Sequence, residues 1–377
     1  MQDAFGPLCT VWHEQVKEFF TTLHGHQSKN LALFVYGAIQ AKSIVVQHVA
    51  EEVLEESDAK CESIERRLRR FLANERIETK ETWDIFLQKV LAYWKGKKVY
   101  LVLDLTPFEE HAQIVYIGLL QEKRVLPLAW EVMPGEEKWE ERLWDIVEKM
   151  FERIGKYLES EDCTVLADRG LSCLALIKLC QQQKWHYVLR VKKGDFVRIR
   201  FRGYYKDWKQ LSDLVGKRGQ KWSGKVLMWQ EHAWETNLTA VWEEGNEEAW
   251  FLLSDQKYGK ERIKEYRWRM RVESTFQDMK SRGWLLESTG VRERERLDRL
   301  LMVLFLSFWW LIHLAASCIH NGRRDRYDRH DRRDKSYVRL GRLYLRHIIR
   351  KAPPVHLLRE CLLFRKRSGQ WLFSLRF

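Results

Sequence analysis

Val99-Tyr-Leu-Val-Leu-Asp104 is an apolar run that ends in an acid, with Thr106-Pro107 closing it. A continuous run of this kind, rather than an alternating one, is what a strand covered on both faces requires. Cys163-Thr-Val-Leu-Ala-Asp168 repeats the form and leads through Arg169-Gly170 into a helical pattern. In open α/β sheets, sites form outside the carboxyl ends of the strands, where a side chain is anchored by the ladder yet faces a crevice. Taken singly, each Asp reads more readily as a helix cap or turn residue. Two such strand-end acids in one chain ask for a partner.

The partner is Tyr266-Arg-Trp-Arg269-Met-Arg-Val-Glu273-Ser-Thr-Phe-Gln-Asp-Met-Lys280. On an α-helix at about 100° per residue, Tyr266, Arg269 and Lys280 fall within roughly 40° of Glu273. A carboxylate flanked on one face by an arginine, a lysine and a phenol suits a site where Glu holds a metal and the cations grip phosphate. A solvated helix face with i,i+4 charge pairs has the same composition. The two aspartates upstream favour the site.

The three motifs, in this order, resemble the DDE transposases of bacterial insertion sequences, in particular the insertion-sequence-four family with its Y-(2)-R-(3)-E-(6)-K signature. Tyr266, Arg269, Glu273 and Lys280 have that spacing, and Asp104 and Asp168 match the family's two aspartates. The likeness covers about residues 30 to 320 and is thin between Asp168 and Glu273 and over the last fifty-odd residues. It implies an α/β fold with a ribonuclease H-like core: a mixed five-stranded sheet with flanking helices, interrupted by a β-rich insertion and preceded by a helical DNA-binding region. The order read from 97 to 200 agrees. It has strands at about 98–104, 112–120 and 124–133, a helix from Trp139 to Leu158, the strand ending at Asp168, a helix near 171–183 and a strand from His186. The expected divisions are 1–95, the helical DNA-binding region; 96–200, the first part of the core; 201–250, the insertion; 251–320, the second part with the Glu273 helix; and 321–377, a basic carboxyl-terminal region.

The same resemblance implies the chemistry. Asp104, Asp168 and Glu273 are expected to be catalytic and to hold two Mg2+ ions, with Mn2+ able to substitute, about 3.5–4 Å apart. Oxygen ligands suit hard divalent cations, and no His/Cys cluster suggests zinc. Arg269 and Lys280 are expected to grip phosphates, and Tyr266 to hydrogen-bond one. The expected reaction is cut-and-paste transposition: cleavage at the element ends and joining to target DNA. Its partner is double-stranded DNA, both the terminal inverted repeats and the target, and a homodimer is needed to treat two ends together. The competing classes are a nuclease with the same core but no strand transfer, and a catalytically silent DNA-binding derivative. The first is expected to lack the Tyr-Arg-Glu-Lys spacing, the second to have lost an acid.

Bulk properties agree with a polyanionic partner. The 377 residues carry a net charge of +13, with a pI near 9.3. From His320 to Phe377 there are 17 Lys+Arg against 5 Asp+Glu, a net of +12, so the first 319 residues are almost neutral. Seven cysteines without a C-x-x-C pair read as reduced core thiols. No signal peptide is visible at Met1-Gln-Asp-Ala-Phe, and a bacterial cytoplasmic, nucleoid-associated location is expected.

Four segments carry further expectations. Leu300 to Ile319, interrupted only by Ser307, His313 and Ser317, is long enough to span a bilayer, yet both flanks are basic. A buried core helix that packs on the sheet, with no membrane, is the reading taken. Ile64-Glu-Arg-Arg-Leu-Arg-Arg-Phe-Leu places Arg66, Arg67, Arg69 and Arg70 on an amphipathic helix, either reading DNA or paired with Glu62 and Glu65. The family's helical amino-terminal region favours DNA. The insertion holds Trp208, Trp222, Trp229, Trp234, Trp242 and Trp250, which read first as its core and second as a platform for an extruded base. Residues 323–335 alternate Arg with Asp and read as a solvated linker or helix. Arg339 to Arg367 is an amphipathic basic pattern able to pack on the body or on a second subunit.

Overall fold

The computed structural model describes residues 7–94, 96–121, 124–135, 140–158 and 162–351. Five helices come first: α1 (Pro7–Phe19), α2 (Gly25–Ala41), α3 (Val46–Glu52), α4 (Cys61–Leu72) and α5 (Thr79–Leu91). Then come β1 (Val99–Phe108), β2 (Ala112–Gln121), β3 (Arg124–Pro134), α6 (Leu143–Gly155), β4 (Cys163–Ala167), α7 (Leu174–Gln182) and β5 (His186–Arg190). The strands β6 (Phe196–Phe201), β7 (Tyr204–Tyr205), β8 (Lys209–Gln210), β9 (Lys221–Met228), β10 (Trp234–Val241) and β11 (Trp250–Ser254) follow. The described chain ends with α8 (Lys260–Arg269), α9 (Arg271–Gln277), a π-helical turn (Asp278–Arg282), α10 (Arg294–His320) and α11 (Tyr337–Lys351). The helix expected from Trp139 to Leu158 begins at Leu143 after a 3-10 turn and ends at Gly155; Trp139 itself lies outside the described residues.

Val99 to Leu103 and Cys163 to Ala167 are buried along their whole length, as the unbroken apolar runs require, and α9 packs on β1 and α8 on β4. β1 and β4 pair in parallel, with Leu103 opposite Ala167, so the next residue on each chain is an aspartate. The strand order β3-β2-β1-β4-β5 supplies the five expected core strands. The sheet does not stop there. β11 returns antiparallel to β5, and β10, β9 and β6 continue the same sheet, so the insertion extends the core sheet edge to edge. The reason lies in Trp250-Phe-Leu-Leu-Ser254, whose buried run needs a partner on both edges and finds β5 on one and β10 on the other.

α10 is the axis of the molecule. Its 27 residues include an apolar stretch long enough to cross a membrane, and that stretch lies wholly inside the fold. β3 flanks it on one side, with α2, α4, α5 and α11 around it. A bulge in β3, where Leu128 is the extra residue between Gly118↔Pro127 and Ile117↔Ala129, presents two carbonyls to side chains. Two indoles satisfy them: Trp309 Nε1 donates to Pro127 O at 2.8 Å and Trp83 Nε1 to Leu128 O at 2.8 Å. Trp12 of α1 stacks on Trp310 at 3.9 Å between ring centroids. Arg299, itself buried, donates to the carbonyls of Leu72 and Ile77. On the opposite side α11 comes so close that a Cβ at Gly341 would lie 2.1 Å from Leu311 O, which only glycine avoids.

The Arg/Asp stretch 323–335 is a turn-rich linker closed on itself by ion pairs: Arg324–Asp328 at 3.1 Å, Arg329–Asp331 at 2.9 Å and Arg333–Asp325 at 2.5 Å. α11 takes the amphipathic pattern beyond it and lays Leu340, Tyr344, Leu345 and Ile348 on the body. The part of that pattern from 352 to 367 lies outside the described residues, as does Cys361. The other six cysteines are free thiols.

Candidate active site

Asp104 stands just past the fully buried part of β1, Asp168 just past β4, and Glu273 in the first turn of α9. The segment expected as one helix from Tyr266 to Lys280 is instead broken at Met270 and again by the π-helical turn at Asp278. α9 is pinned to the edge strand of the sheet: Val125 N donates to Thr275 Oγ1 at 3.1 Å, and Arg124 pairs with Asp278 at 2.8 Å. These two contacts set where Glu273 stands.

Arg269, the last residue of α8, lies in the middle of the three acids. Its Nη2 donates to Asp104 Oδ2 at 2.9 Å and is 3.6 Å from Asp168 Oδ2, while its Nη1 reaches Glu273 Oε1 at 3.3 Å. Each aspartate divides its oxygens in the same way. Asp104 Oδ1 accepts the backbone N–H of Leu105 at 2.9 Å. Asp168 Oδ1 accepts the backbone N–H of Arg169 at 2.7 Å and the Tyr266 hydroxyl at 3.0 Å. One oxygen is thus tied to the scaffold and the other is turned toward a single positive group.

Exposure grades outward through the cluster: the side chains are 7% exposed at Arg269, 13% at Asp104, 30% at Asp168 and 52% at Glu273. Burial raises the Asp104 carboxyl above its ordinary value, against the pull of Arg269 and the Leu105 N–H. At Asp168 burial pushes the same way, but Arg269, the Arg169 N–H, Tyr266 and Arg190 outweigh it, and the carboxyl lies below its ordinary value. Burial lowers the Arg269 guanidinium, and Asp104 and Asp168 more than reverse that, so it stays charged. The Tyr266 phenol is raised by burial and by Asp168, and remains a donor.

Tyr266 and Arg269 were expected to face phosphate; the structure turns both inward, onto Asp168 and onto the three acids. Trp250 packs edge-on against the Tyr266 ring at 5.1 Å. Lys280 bonds to the Pro107 carbonyl, on the strand that carries Asp104, and pairs with Glu287 at 3.2 Å. The π-helical turn has shifted it out of the row that an unbroken helix would make.

Arg190 and Glu248 were not anticipated. Arg190, the last residue of β5, is 4.0 Å from Asp168 Oδ1 and also pairs with Glu248, which takes Arg169 Nη1 at 2.8 Å. The signal was present in the sequence: Arg190 closes a buried strand beside β4, the same position rule that selects the aspartates. Among the amino-terminal arginines, Arg66 pairs with Glu62 and Arg69 with Glu65, each at 2.7 Å and on the helix surface. Arg66, Arg67 and Arg70 also line a cavity of about 390 Å3 with Asn30, Ala59 and Ser63. The insertion tryptophans are half-buried. Trp222, Trp229, Trp234, Trp242 and Trp250 pack on the hydrophobic core, and Trp208 lies under Arg198.

The donor set fits a hard divalent cation: three carboxylates, each with an oxygen directed at one centre. Among the described residues no group of three acids, histidines or cysteines is spaced to hold a metal ion as it stands. The guanidinium takes up the centre.

A family model for the transposase DDE domain matches residues 122–310. The chain belongs to the DDE transposase family. The matched span takes in Asp168, Tyr266, Arg269, Glu273 and Lys280 of the transposase, and Asp104 lies ahead of it. No curated protein matches the sequence. DDE transposases act on DNA and use divalent metal ions.

Proposed function

We propose that this transposase cleaves the ends of its own insertion sequence and joins them to target DNA, with Asp104, Asp168 and Glu273 as the ligands of two Mg2+ ions, for which Mn2+ can substitute. The observation that carries the reading is the convergence of three carboxylates, from β1, from the residue after β4 and from α9, on one cationic centre where the parallel pairing of β1 with β4 ends. The Tyr266, Arg269, Glu273 and Lys280 spacing supports a place in the insertion-sequence-four family. Bound divalent cations would activate the attacking water or 3′-hydroxyl and stabilise the leaving oxygen.

The chain's own groups prepare that chemistry. Leu105 N–H, Arg169 N–H and the Tyr266 hydroxyl fix the two aspartates so that Asp104 Oδ2 and Asp168 Oδ2 face the centre. Glu273, the most exposed of the three, comes from a separate helix held by Thr275 and Asp278. Arg190, braced by Glu248, holds positive charge against the outer side of Asp168. Double-stranded DNA, both element ends and target, is the substrate, and two copies of the chain act together so that two ends are cut and joined.

The test uses a supercoiled plasmid carrying the gene with its natural flanks. With Mg2+ or Mn2+ the purified protein is expected to release the element and to give strand-joined products, and with EDTA neither. Asp104→Ala, Asp168→Ala and Glu273→Ala should each abolish cleavage while gel-shift affinity for the same DNA is kept. Wild-type cleavage in any of the three removes that residue from the site, and cleavage without joining in the wild type leaves a nuclease.

A further inference from the structure

The oxygens a metal ion would need are the ones Arg269 already holds. Asp104 Oδ2, Asp168 Oδ2 and Glu273 Oε1 all face its guanidinium, whereas the aspartates' other oxygens are spoken for by Leu105, Arg169 and Tyr266. We propose that Arg269 is a resident counter-cation of the acid cluster, competing with divalent metal for the same three oxygens, so that metal entry expels the guanidinium toward the open, Glu273 side of the cleft, where a DNA phosphate can take it. The inference rests on the metal-binding reading above and adds an order of events to it.

Three physical arguments support it. Three carboxylates this close repel one another strongly in a partly dry site, and one cation among them removes most of that cost. A single guanidinium against three carboxylates still leaves two negative charges, so the cluster remains attractive to a divalent ion. Arg269 is also imperfectly housed: its Nε is buried with no hydrogen-bond partner. A buried donor left unmade is a cost that relocation to a phosphate would relieve. Because metal can bind only the fraction of molecules whose guanidinium has left, apparent affinity is reduced by that fraction. Conversely, a metal that expels Arg269 makes it available to DNA, and by linkage DNA that captures Arg269 tightens metal binding.

The experiment is Mn2+ titration of the DNA-free, full-length protein by calorimetry, alongside thermal unfolding with and without Mn2+. Arg269→Gln should bind Mn2+ about tenfold or more tightly than the wild type. It should also unfold at a lower temperature without metal, with most of that deficit recovered at saturating Mn2+. Arg269→Lys decides whether displacement or mere charge is at work. A lysine keeps the charge but, as a compact ammonium, cannot fork across three carboxylates. It is expected to tighten Mn2+ binding in the same direction by a smaller factor, and it serves in place of Arg269→Gln should that variant not fold. Lys and Gln variants that both bind Mn2+ as the wild type does, or more weakly, overturn the competition. If that binding is still lost in Asp104→Asn, the metal site itself stands. Absence of Mn2+ binding in wild type and variants alike removes both.

Discussion

Two arginine-rich helices in this molecule use the same residue type to opposite ends. On α4, Arg66 and Arg69 each pair with a glutamate four residues earlier, and the pairs lie in water. At the end of α8, Arg269 is buried and its acceptors come from β1, from the residue after β4 and from α9. In the first arrangement each pair is written in five consecutive residues and is worth only about 0.3–0.5 kcal/mol. The second exists only because a parallel strand pair and a pinned helix bring distant residues together, and its charges are partly dry. Charge composition alone does not separate the two; the burial of the arginine does, since the Arg66 and Arg69 side chains are 62% and 63% exposed and that of Arg269 is 7% exposed.

The largest effect expected from that difference is catalytic. On the proposed metal-ligand roles, replacing Asp104, Asp168 or Glu273 by alanine should lower the cleavage rate by roughly a thousandfold or more. Replacing Glu62 or Glu65 should leave the rate within about twofold, because these acids serve only surface pairs. Cleavage assays on the same plasmid compare the two sets, and equal losses would erase the contrast.

Stability gives the next effect. Arg269→Ala is expected to destabilise the metal-free protein by about 3 kcal/mol, at the low end for a broken buried pair because water reaches Glu273. A loss below about 0.5 kcal/mol in denaturant unfolding, the value of a surface pair, would place Arg269 with the α4 arginines.

A pH series follows. The Asp168 carboxyl lies below its ordinary value in the folded chain, so its contribution is fully present above the unfolded value of 3.8 and is lost as pH falls through the folded one. The stability gap between the wild type and Asp168→Asn should therefore be wide at neutral pH and close under strong acid. Asp104 has the opposite sign: its value is raised chiefly by burial, so through this residue acidification favours the folded chain. A gap at Asp168 that stays constant from pH 7 down to about 2 would contradict the geometry that lowers it.

The smallest effect closes the comparison. A double-mutant cycle on Glu62 and Arg66 should return a coupling of about 0.3–0.5 kcal/mol that fades in high salt. A coupling several times larger would mean that the α4 surface is organised for more than solubility.

Much of this was legible in the sequence, and the reasons are specific. Val99–Asp104 and Cys163–Asp168 announced two buried strands, since an unbroken apolar run followed by one charge has few other homes; Asp168 does stand just past its strand, but β1 runs on through Asp104 to Phe108, paired with β2 after its pairing with β4 has ended. The long apolar run 300–319 was legible as a core helix through its basic flanks, and it is buried throughout. What the sequence could not show was the break at Met270, because no proline or glycine marks it. The break and the following π-helical turn matter, since a rigid helical wheel puts Lys280 beside Glu273 and the folded chain hands it to Pro107 and Glu287 instead. Nor could the wheel tell that Arg269 would meet two aspartates more than a hundred residues upstream. The continuation of the core sheet through β11 was hidden for a similar reason: pairing partners are set by which edges remain open, and edges are a property of the assembled sheet.

The placement of α10 also fixes a timetable for making the protein. Trp12, Phe86, Leu72 and Ile77 all lean on a helix that begins at residue 294. A ribosome that has just finished α5 still has about 200 residues to translate before that helix starts, on the order of 10–40 s at about 5–20 residues per second. Throughout that interval the amino-terminal helices carry apolar faces with no seat, and the nascent chain depends on their temporary contacts with one another or on a holding chaperone. When residues 294–320 emerge, one insertion seats α2, α4 and α5 and backs β3, and α11 follows to close the remaining side.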